Sequence, residues 1–250
     1  MRVIYIINHL RKASPMIRLL ISTLLLLFIS CSSKDKPLLP EEVSPDVYKV
    51  LLENEDVKVL EVTFAPGQSD NMHDHNPVTF YLLQGGKAQV TLPDGTVNER
   101  EISTGFVGHN KEKVRHQVKN IGDNTIKIIL VERKNSEPIS DSKERLILPE
   151  EVSPDVYKVL LENEDVKVLE VTFAPGQSDN MHQHGVMTIY GITGGKLQGT
   201  SPDGTVNENE VPNGFVGHRN TITTHQMKNI GDNTVKVILF EHKKLRSVKE

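Results

Sequence analysis

The chain has 250 residues and a formal net charge of −4, with 37% hydrophobic and 25% charged residues. This composition is ordinary for a soluble globular protein of one or two domains. The sequence contains neither a basic tract nor an acidic tail, so neither nucleic acid nor a polycation is expected as a partner. Tryptophan is absent and aromatic residues make up 5%, which argues against aromatic stacking platforms.

The first 30 residues have the pattern of a signal peptide. Basic residues precede an apolar run at positions 19–29, which at roughly a dozen residues is too short to span a bilayer comfortably. Met16 is an alternative to Met1 as the start of the chain, and it would give a more compact signal.

Cys31 follows the apolar run and precedes the polar residues 32–34. The arrangement resembles a bacterial lipoprotein signal, in which the cysteine becomes the acylated first residue of the mature chain. The resemblance implies a membrane anchor at Cys31 and a location in the bacterial cell envelope, at the periplasm or the outer membrane. An ordinary signal peptide, or a short uncleaved anchor, is the alternative. Because Cys31 is the only cysteine, the chain can form neither an intramolecular disulfide nor a thiolate metal site.

The remainder of the chain is an internal duplication. Residues 38–134 align with 147–243 without a gap at an offset of 109, and the stretch 40–73 recurs unchanged. A period of this length far exceeds that of solenoid repeats, so each copy is expected to form a domain with its own core. The predicted segments are a signal peptide (1–30), a first domain (31–134), an exposed polar linker (135–146) and a second domain (147–250).

Within each copy, short apolar stretches alternate with turn residues. In the first copy, Val57–Phe64 is rich in β-branched residues and ends at a Pro-Gly turn, and the apolar run 78–83 is typical of a strand buried on both faces. The predicted strands are 57–64, 78–83, 88–92, 97–102, 106–109, 114–119 and 125–132. Short strands at roughly ten-residue spacing, without a long amphipathic helix, predict an all-β fold built as a double-sheet jelly roll.

Histidine carries the clearest chemical signal, because eight of the ten histidines fall at four positions shared by the two copies. Residues two apart on a strand point to the same face, so His73 and His75 would aim both imidazoles into one space. His182 and His184 repeat the pair. Imidazole is the commonest metal ligand, but two imidazoles alone leave a metal site incomplete.

A third imidazole is available at His116 and at His225. The preceding segment 110–115 differs from 219–224 at every position, yet both histidines persist. The alternatives are histidines that make structural hydrogen bonds, or solvated strand-end histidines copied by the duplication. The metal interpretation is preferred because three histidines satisfy a catalytic-type site with open positions. The predicted ligands are His73, His75, His116, His182, His184 and His225.

These spacings resemble the two sequence motifs of the cupin superfamily. The first motif, Gly-x5-His-x-His-x3,4-Glu-x6-Gly, and the second, Gly-x5-Pro-x-Gly-x2-His-x3-Asn, recur in register in both copies. The matched positions are Gly67, His73, His75, Gly86, Gly105, His116 and Asn120, and then Gly176, His182, His184, Gly195, Gly214, His225 and Asn229. The chain is similar to small cupins, some of them associated with beta-alanine degradation. The resemblance implies two tandem cupin jelly-roll β-barrels, that is, a bicupin.

The chain also departs from the cupin motifs. Thr79 and Thr188 stand where the family usually has a glutamate ligand, so the resemblance implies a three-histidine site, as in the minority of cupins that lack the carboxylate. The two threonines are expected to fill the wall of the pocket or to bond a metal-bound water.

Four further repeated residues are candidates for the pocket. Tyr81 and Tyr190 share the strand parity of the threonines, and they border the pocket unless they are buried core residues. His109 and His218 either donate hydrogen bonds near the ligands or have a packing role. The default role of Asp70, in the loop before the histidine pair, is to cap that loop.

Three neutral ligands would leave the +2 charge of a divalent ion uncompensated, which favours anionic oxygen ligands. Ligand type alone does not rank Fe, Zn, Ni, Cu and Mn as the ion. Cupin metal sites support dioxygenation, isomerisation and decarboxylation, whereas other cupins bind sugars or act as regulators or storage proteins. No residue stands out as a general base, so the sequence leaves catalysis open.

The resulting hypothesis is a metal-binding bicupin that binds a small anionic molecule, a carboxylate or an enolate, with dioxygenase- or isomerase-type chemistry as the form of any catalysis. The alternative is a non-catalytic cupin lipoprotein that binds a ligand in the envelope or serves as a scaffold. Neither the substrate nor the oligomeric state follows from the sequence.

The two copies differ in charge just before the third histidine. The first copy has Lys111, Lys113 and Arg115 in this segment, whereas the second has a single basic residue, Arg219. The resemblance places the segment near the barrel mouth, so the first metal site is expected to attract anions more strongly. The alternative is that these charges form a solvated rim.

Overall fold

The computed structural model describes residues 36–134 and 146–243. The predicted signal peptide, Cys31 and nearly all of the predicted linker lie outside these residues. Among the described residues, no helix combines the length and the apolar character that a membrane crossing requires.

The β-rich stretches of the first copy form nine strands in the described part of the chain, preceded by the single-turn helix α1 (Pro40–Val43). Proline is well suited to the first turn of a helix, where its missing N–H costs no hydrogen bond. The strands are β1 (Tyr48–Glu53), β2 (Val57–Phe64), β3 (His73–His75), β4 (Val78–Gln84), β5 (Gly86–Thr91), β6 (Val97–Ile102), β7 (Val107–Asn110), β8 (Val114–Asn120) and β9 (Ile126–Arg133).

The second copy repeats this order of elements. It begins with the single-turn helix α2 (Pro149–Val152). Its strands are β10 (Tyr157–Glu162), β11 (Val166–Phe173), β12 (His182–His184), β13 (Met187–Thr193), β14 (Gly195–Thr200), β15 (Val206–Val211), β16 (Val216–Arg219), β17 (Thr223–Asn229) and β18 (Val235–His242).

Within the described residues, each copy forms one five-stranded and one four-stranded antiparallel sheet. The first barrel has the strand orders β1-β2-β9-β4-β7 and β3-β8-β5-β6. The second barrel has the matching orders β10-β11-β18-β13-β16 and β12-β17-β14-β15. The predicted all-β fold with two tandem jelly-roll barrels is confirmed.

Strand β2 shows that the two faces of one sheet pack into two different hydrophobic cores. Leu60 and Phe64 face the interior of the first barrel, whereas Val57 and Val59 lie on the opposite face and pack against the second barrel. None of these four side chains is more than 1% exposed. Successive residues of a strand point to opposite faces, so a strand buried on both faces reads as a continuous apolar run.

The five-stranded sheets of the two barrels pack against each other. Among the described residues, the shared cluster between them comprises Val57, Val59, Tyr81, Ile129, Val131, Val166, Val168, Tyr190, Ile238 and Phe240. Each barrel also has a cluster of its own, around Leu60 in the first and Leu169 in the second. Burial of a side chain of this size contributes about 1.5–3 kcal/mol, so the shared cluster makes a large contribution to the stability of both barrels.

The contacts between the barrels are reciprocal. Nε2 of His109 lies 3.5 Å from Oδ2 of Asp165, and Nε2 of His218 lies 3.5 Å from Oδ2 of Asp56. The same patch of each copy therefore meets the corresponding patch of the other, as in an isologous interface. Both barrels belong to one compact unit that begins at Leu38.

Candidate metal centres

The predicted histidine pair of the first copy lies on the short strand β3. His73 and His75 are buried, with 0% and 3% of their surface exposed, whereas Asp74 between them binds Arg115 through two hydrogen bonds on the outside. Strand parity thus places both imidazoles inside the barrel. His116 stands opposite His73 in the register of β3 and β8, which brings a third imidazole to the pair.

The three imidazoles of the first barrel converge on one space. Their ligand atoms all lie within 4.8 Å of one another, and Nε2 of His73 is 2.9 Å from Nε2 of His75. The second barrel repeats this triad with His182, His184 and His225. The corresponding Nε2 atoms of its histidine pair are also 2.9 Å apart.

Hydrogen bonds determine which ring nitrogens face the centre of the triad. Nδ1 of His73 donates to the carbonyl of Asn71 at 2.7 Å, and Nδ1 of His75 donates to the carboxylate of Glu132. A carbonyl and a carboxylate only accept, so both Nδ1 atoms carry a proton, and each Nε2 carries a lone pair when its ring is neutral. The second barrel has the same two bonds, at 2.8 and 2.7 Å.

The two Nε2 lone pairs of each histidine pair therefore point at each other across a distance of 2.9 Å. This arrangement is repulsive unless a cation lies where both lone pairs can reach it. Three neutral imidazoles with open positions form a donor set that divalent transition metals accept. Both triads therefore fit a divalent transition-metal ion.

Burial keeps four of the six triad imidazoles neutral. It lowers the pKa of His73 and His182 to about 4 and the pKa of His116 and His225 to about 3, and the neighbouring imidazoles lower these pKa values further. Metal ligands have to be deprotonated, so these four rings are ready to bind an ion at neutral pH.

A tyrosine and an aspartate adjoin the first triad. The hydroxyl of Tyr48 donates to Oδ2 of Asp70 at 2.8 Å and lies 3.1 Å from Nε2 of His73. Burial raises the pKa of Asp70 to about 6, and burial together with the Asp70 charge raises the pKa of Tyr48 well above its usual value. Asp70 also accepts the backbone N–H of Val118 at 2.6 Å, a bond that ties its loop to β8 as a loop-capping residue does.

Tyr157 and Asp179 form the same pair beside the second triad. The Tyr157 hydroxyl is 2.8 Å from Oδ2 of Asp179 and 3.2 Å from Nε2 of His182. Sequence reasoning missed both tyrosines. They lie on β1 and β10, outside the predicted strands, and in a stretch that is identical in the two copies, so sequence divergence gives no signal there.

Glu132, which holds Nδ1 of His75, belongs to a buried ion-pair network that sequence reasoning also missed. Its partner in the register of β9 and β2 is Lys58, which is only 5% exposed and pairs with an acidic residue of α1. In the second barrel, Nζ of Lys167 lies 3.1 Å from Glu241. In the second barrel the network therefore joins a triad imidazole to helix α2, and the first barrel has the same residues at the same positions.

A sequence signal for this glutamate was available. The glutamate persists as Glu132 and Glu241, although the residues on both sides of it differ between the copies. Glu132 also shares the strand parity of Ile126 and Leu130, which face the interior of the barrel. A charged residue at an interior position of a strand calls for a partner, and here the partners are an imidazole and a lysine.

Six residues predicted for the pocket do not lie beside the imidazoles. They are on the sheet faces turned toward the other barrel: Thr79, Tyr81, His109, Thr188, Tyr190 and His218. Both tyrosines join the shared cluster, and Oγ1 of Thr79 lies within hydrogen-bond distance of Nδ1 of His109, at 2.9 Å. Val78 and Phe80 turn into the barrel, so positions 79 and 81 turn outward. This placement corrects the expectation of a pocket role and agrees with the packing alternative for the tyrosines and histidines.

The basic residues before His116 do not surround the first triad. Arg115 is paired with Asp74, and Lys111 and Lys113 line a cavity between the barrels. The expectation that these charges draw anions to the first metal site therefore has no support in the geometry.

No protein-family model and no curated protein sequence matches this chain. Among solved structures, a single-residue variant of oxalate decarboxylase from Bacillus subtilis aligns with a TM-score of 0.56 at 15% identity, covering 79% of this chain and 72% of that one. AerE from Microcystis aeruginosa aligns with a TM-score of 0.55 at 14% identity, covering 79% and 98%. A structure of the B. subtilis oxalate decarboxylase, from work on its Mn(II) centres, aligns with a TM-score of 0.53 at 14% identity, covering 78% and 71%.

At these identities the likeness concerns the fold. It extends over both barrels, because the alignments cover nearly four fifths of the chain. The chain therefore has the tandem-barrel fold of a bicupin, and the resemblance to the cupin superfamily drawn from the two sequence motifs is confirmed at the level of the fold.

Proposed function

We propose that this bicupin holds one divalent transition-metal ion in each histidine triad and binds a small carboxylate- or enolate-bearing molecule there. The observation that carries the proposal is the geometry of the two histidine pairs. In each barrel, two buried Nε2 lone pairs are held 2.9 Å apart beside a third imidazole. In the neutral rings both protons are held at Nδ1, so the two Nε2 atoms can bind one ion together.

The ion in each triad, rather than the residues around it, would attract an anionic ligand. A bound divalent ion would supply Lewis acidity and would lower the pKa of a coordinated water. Two carboxylates would offset part of the charge of the ion. Glu132 bonds His75, and Oδ2 of Asp70 lies 3.6 Å from Nδ1 of His73. The Tyr48 hydroxyl lies 3.1 Å from Nε2 of His73, and it could donate its one proton to an oxygen of the ligand in place of its bond to Asp70.

The Tyr48–Asp70 pair favours an enzyme over a scaffold. The hydroxyl is buried, lies 3.1 Å from Nε2 of His73 and is hydrogen-bonded to the carboxylate of Asp70. Such a pair can hold or move a proton at an oxygen of the ligand, which is what dioxygenase- or isomerase-type chemistry would require of this chain. A non-catalytic envelope protein would bind the same metals and anions but would turn nothing over.

Imidazole ligands do not select among Fe, Zn, Ni, Cu and Mn, so the ion has to be found by measurement. Two of the similar structures are of an oxalate decarboxylase, and one of them concerns its Mn(II) centres. Manganese and oxalate therefore belong among the metals and ligands tested, together with other small carboxylates.

The test is the metal content of the full-length protein, purified in detergent and measured by elemental analysis. We expect close to two ions per chain, one for each triad. The double variant His73→Ala/His182→Ala should lose most of this metal. The matched control His109→Ala/His218→Ala removes histidines at other repeated positions and should keep it. The proposal would be refuted if the wild-type protein stays metal-free and its thermal unfolding temperature does not change when any of the five metals is added.

The location of the protein is a separate proposal. We propose that the chain is anchored in the bacterial envelope through an acylated Cys31, because that cysteine follows an apolar run and precedes a polar tether. Stable anchoring needs more than one acyl chain. Cys31→Ser should move the protein from the membrane fraction to the soluble fraction, and a wild-type protein that is already soluble would count against lipidation.

A further inference from the structure

A cavity of about 250 Å³ lies between the two barrels. The first barrel contributes residues of β4, β7 and β9 and the segment before β8, and the second contributes Asp165, Val166 and His242. Among the described residues that line it, none is a triad imidazole. The volume equals that of about eight waters in the liquid, which suits a small ligand.

Positive charge dominates the lining of this cavity. Its described lining includes four cationic side chains, Lys111, Lys113, Arg133 and Lys134, and one carboxylate, Asp165; of the four, Lys134 is paired with Glu53 at 2.9 Å. Lys113 has no ion-pair partner among the described residues, and Nζ of Lys111 is 3.9 Å from Asp165, beyond hydrogen-bond distance. Cations brought together with so little opposite charge repel one another unless an anion joins them.

Two hydrogen-bond donors in the cavity are not fully used. In the described part of the chain, Arg133 donates from Nη1 to the carbonyl of Lys243 at 3.3 Å, which occupies one of its five N–H donors. Nε2 of His109 is buried without a hydrogen-bond partner, since Asp165 lies 3.5 Å away. Buried polar atoms without partners are uncommon, and a guanidinium is suited to bind an oxyanion through two parallel bonds.

The charge is confined to one side of the reciprocal interface. Where the first barrel has Lys111 and Lys113, the second has Asn220 and Ile222, and His242 takes the position of Arg133. The same interface is therefore built without these cations on its other side. The other side of the interface therefore packs without lysines at the positions of Lys111 and Lys113, whereas Arg133 also bonds Lys243 of the second copy.

We propose that this inter-barrel cavity is a binding site for a small multivalent oxyanion bearing phosphate or carboxylate groups, separate from both histidine triads. Lys111, Lys113 and Arg133 would hold the anion, and His109 would add a neutral donor. The proposal does not depend on metal binding, and metal-free protein should bind the anion equally well.

The test is calorimetric titration of metal-free, full-length protein in detergent at low salt, with inorganic phosphate in one arm and malonate in the other. We expect saturable binding of one anion per chain in at least one arm, which also shows whether phosphate or carboxylate is preferred. Lys111→Asn/Lys113→Ile installs the residues of the second barrel, so the fold tolerates them, and should weaken binding by about tenfold or more. Arg133→His likewise installs the residue that the second barrel has at this position, and it should also weaken anion binding by about tenfold or more.

Two controls make the result decisive. Lys49→Asn/Lys119→Asn removes the same net charge from exposed positions outside the cavity and should leave affinity within about twofold, because surface charges act weakly at a distance. His73→Ala/His182→Ala should also leave it unchanged. The proposal is overturned if wild-type protein binds neither anion, if Lys111→Asn/Lys113→Ile binds like wild type, or if the surface control loses as much affinity.

Discussion

Glu132 and Glu241 each hold one imidazole of a triad through its Nδ1 proton. A carboxylate in this position orients the ring and makes the opposite nitrogen a stronger ligand. Replacing both with glutamine keeps the shape and an acceptor but removes the charge. We expect the affinity for zinc to fall by about 10–100-fold, measured by competition with a chromophoric chelator.

The control for this prediction is Glu99→Gln/Glu208→Gln, which changes two exposed residues of β6 and β15 and should leave zinc affinity as it is. Equal affinities in Glu132→Gln/Glu241→Gln and wild type would mean that the carboxylates do not support the ligands.

His242 gives the stability of the protein a pH dependence of its own. Burial lowers the pKa of this residue to about 3, and the nearby charges of Arg133, His218 and His109 lower it further. Its Nε2 lies 3.0 Å from the hydroxyl of Thr188. Between the unfolded pKa of about 6.5 and the folded value, the unfolded chain binds the proton and the folded chain does not. The free energy of unfolding therefore falls as the pH falls through this window.

His242→Gln removes this titration and keeps a hydrogen-bond donor for Thr188. In urea unfolding of metal-free protein, lowering the pH from about 7 to about 5 should cost wild type about 2 kcal/mol more than the variant. If the free energy of unfolding falls by the same amount in both proteins, the titration of His242 does not contribute to the pH dependence of stability.

At the scale of elements, Lys167 ties three of them together. It lies on β11, and its Nζ is 2.7 Å from Glu150 of α2 and 3.1 Å from Glu241 of β18, with 4% of the lysine side chain exposed. Removing one member of a buried ion pair leaves the partner charges without compensation. Lys167→Met should lower the free energy of unfolding by about 3 kcal/mol, measured by urea denaturation.

Lys158→Met is the matched change at an exposed lysine of β10, and it should alter stability by about 0.5 kcal/mol or less. If both substitutions have the same small effect, the network does not stabilise the barrel.

The strands were predictable because their sequence carries the period of two and clear turn residues. Strands β2 and β6 coincide with the predicted ranges, and the other predicted strands agree to within two residues. The convergence of the histidine pair was predictable for the same reason, since parity alone puts His73 and His75 on one face. Strand β1, with its Tyr48, was missed because it has no polar–apolar alternation, although Pro45 precedes it and Asn54 follows it.

Residues that act from another strand could not be assigned from local pattern. Glu132 reaches His75 across 57 positions of sequence, and the pairing of β9 with its neighbours is what brings them together. Thr79 was misplaced because the family motif allows its ligand at either of two adjacent positions, and adjacent strand residues face opposite sides.

At the scale of the whole molecule, the shared cluster makes the two barrels depend on each other. Val59 and Val168 are both 0% exposed within it. We expect the wild-type protein to unfold in one cooperative calorimetric transition, with a ratio of calorimetric to van't Hoff enthalpy of about one. Val59→Asp/Val168→Asp puts charges into the shared cluster and should raise this ratio toward about two, at a lower transition temperature.

Val97→Asp/Val206→Asp is the control, because these valines are 52% and 51% exposed on β6 and β15. It should leave a single transition. A wild-type enthalpy ratio of about two would mean that the barrels unfold independently.

The packing of one barrel against the other could not be predicted from the sequence. A continuous apolar run shows that both faces of a strand are covered, but it does not say whether the cover comes from the same copy, the other copy or another chain. Only the reciprocal contacts of the fold, such as His109 with Asp165 and His218 with Asp56, identify the other copy as the cover.

A single copy of this barrel would leave Val57, Val59 and Ile129 exposed to water, and two such copies would cover them by forming a homodimer. In a homodimer, one gene encodes both halves of the interface, so every substitution appears in both subunits and the two halves remain identical. Fusion into one chain ends that constraint, because each half then mutates alone. Lys111 and Lys113 line the inter-barrel cavity and have no counterparts in the second copy, and a pair of identical subunits could not acquire such a difference on one side only.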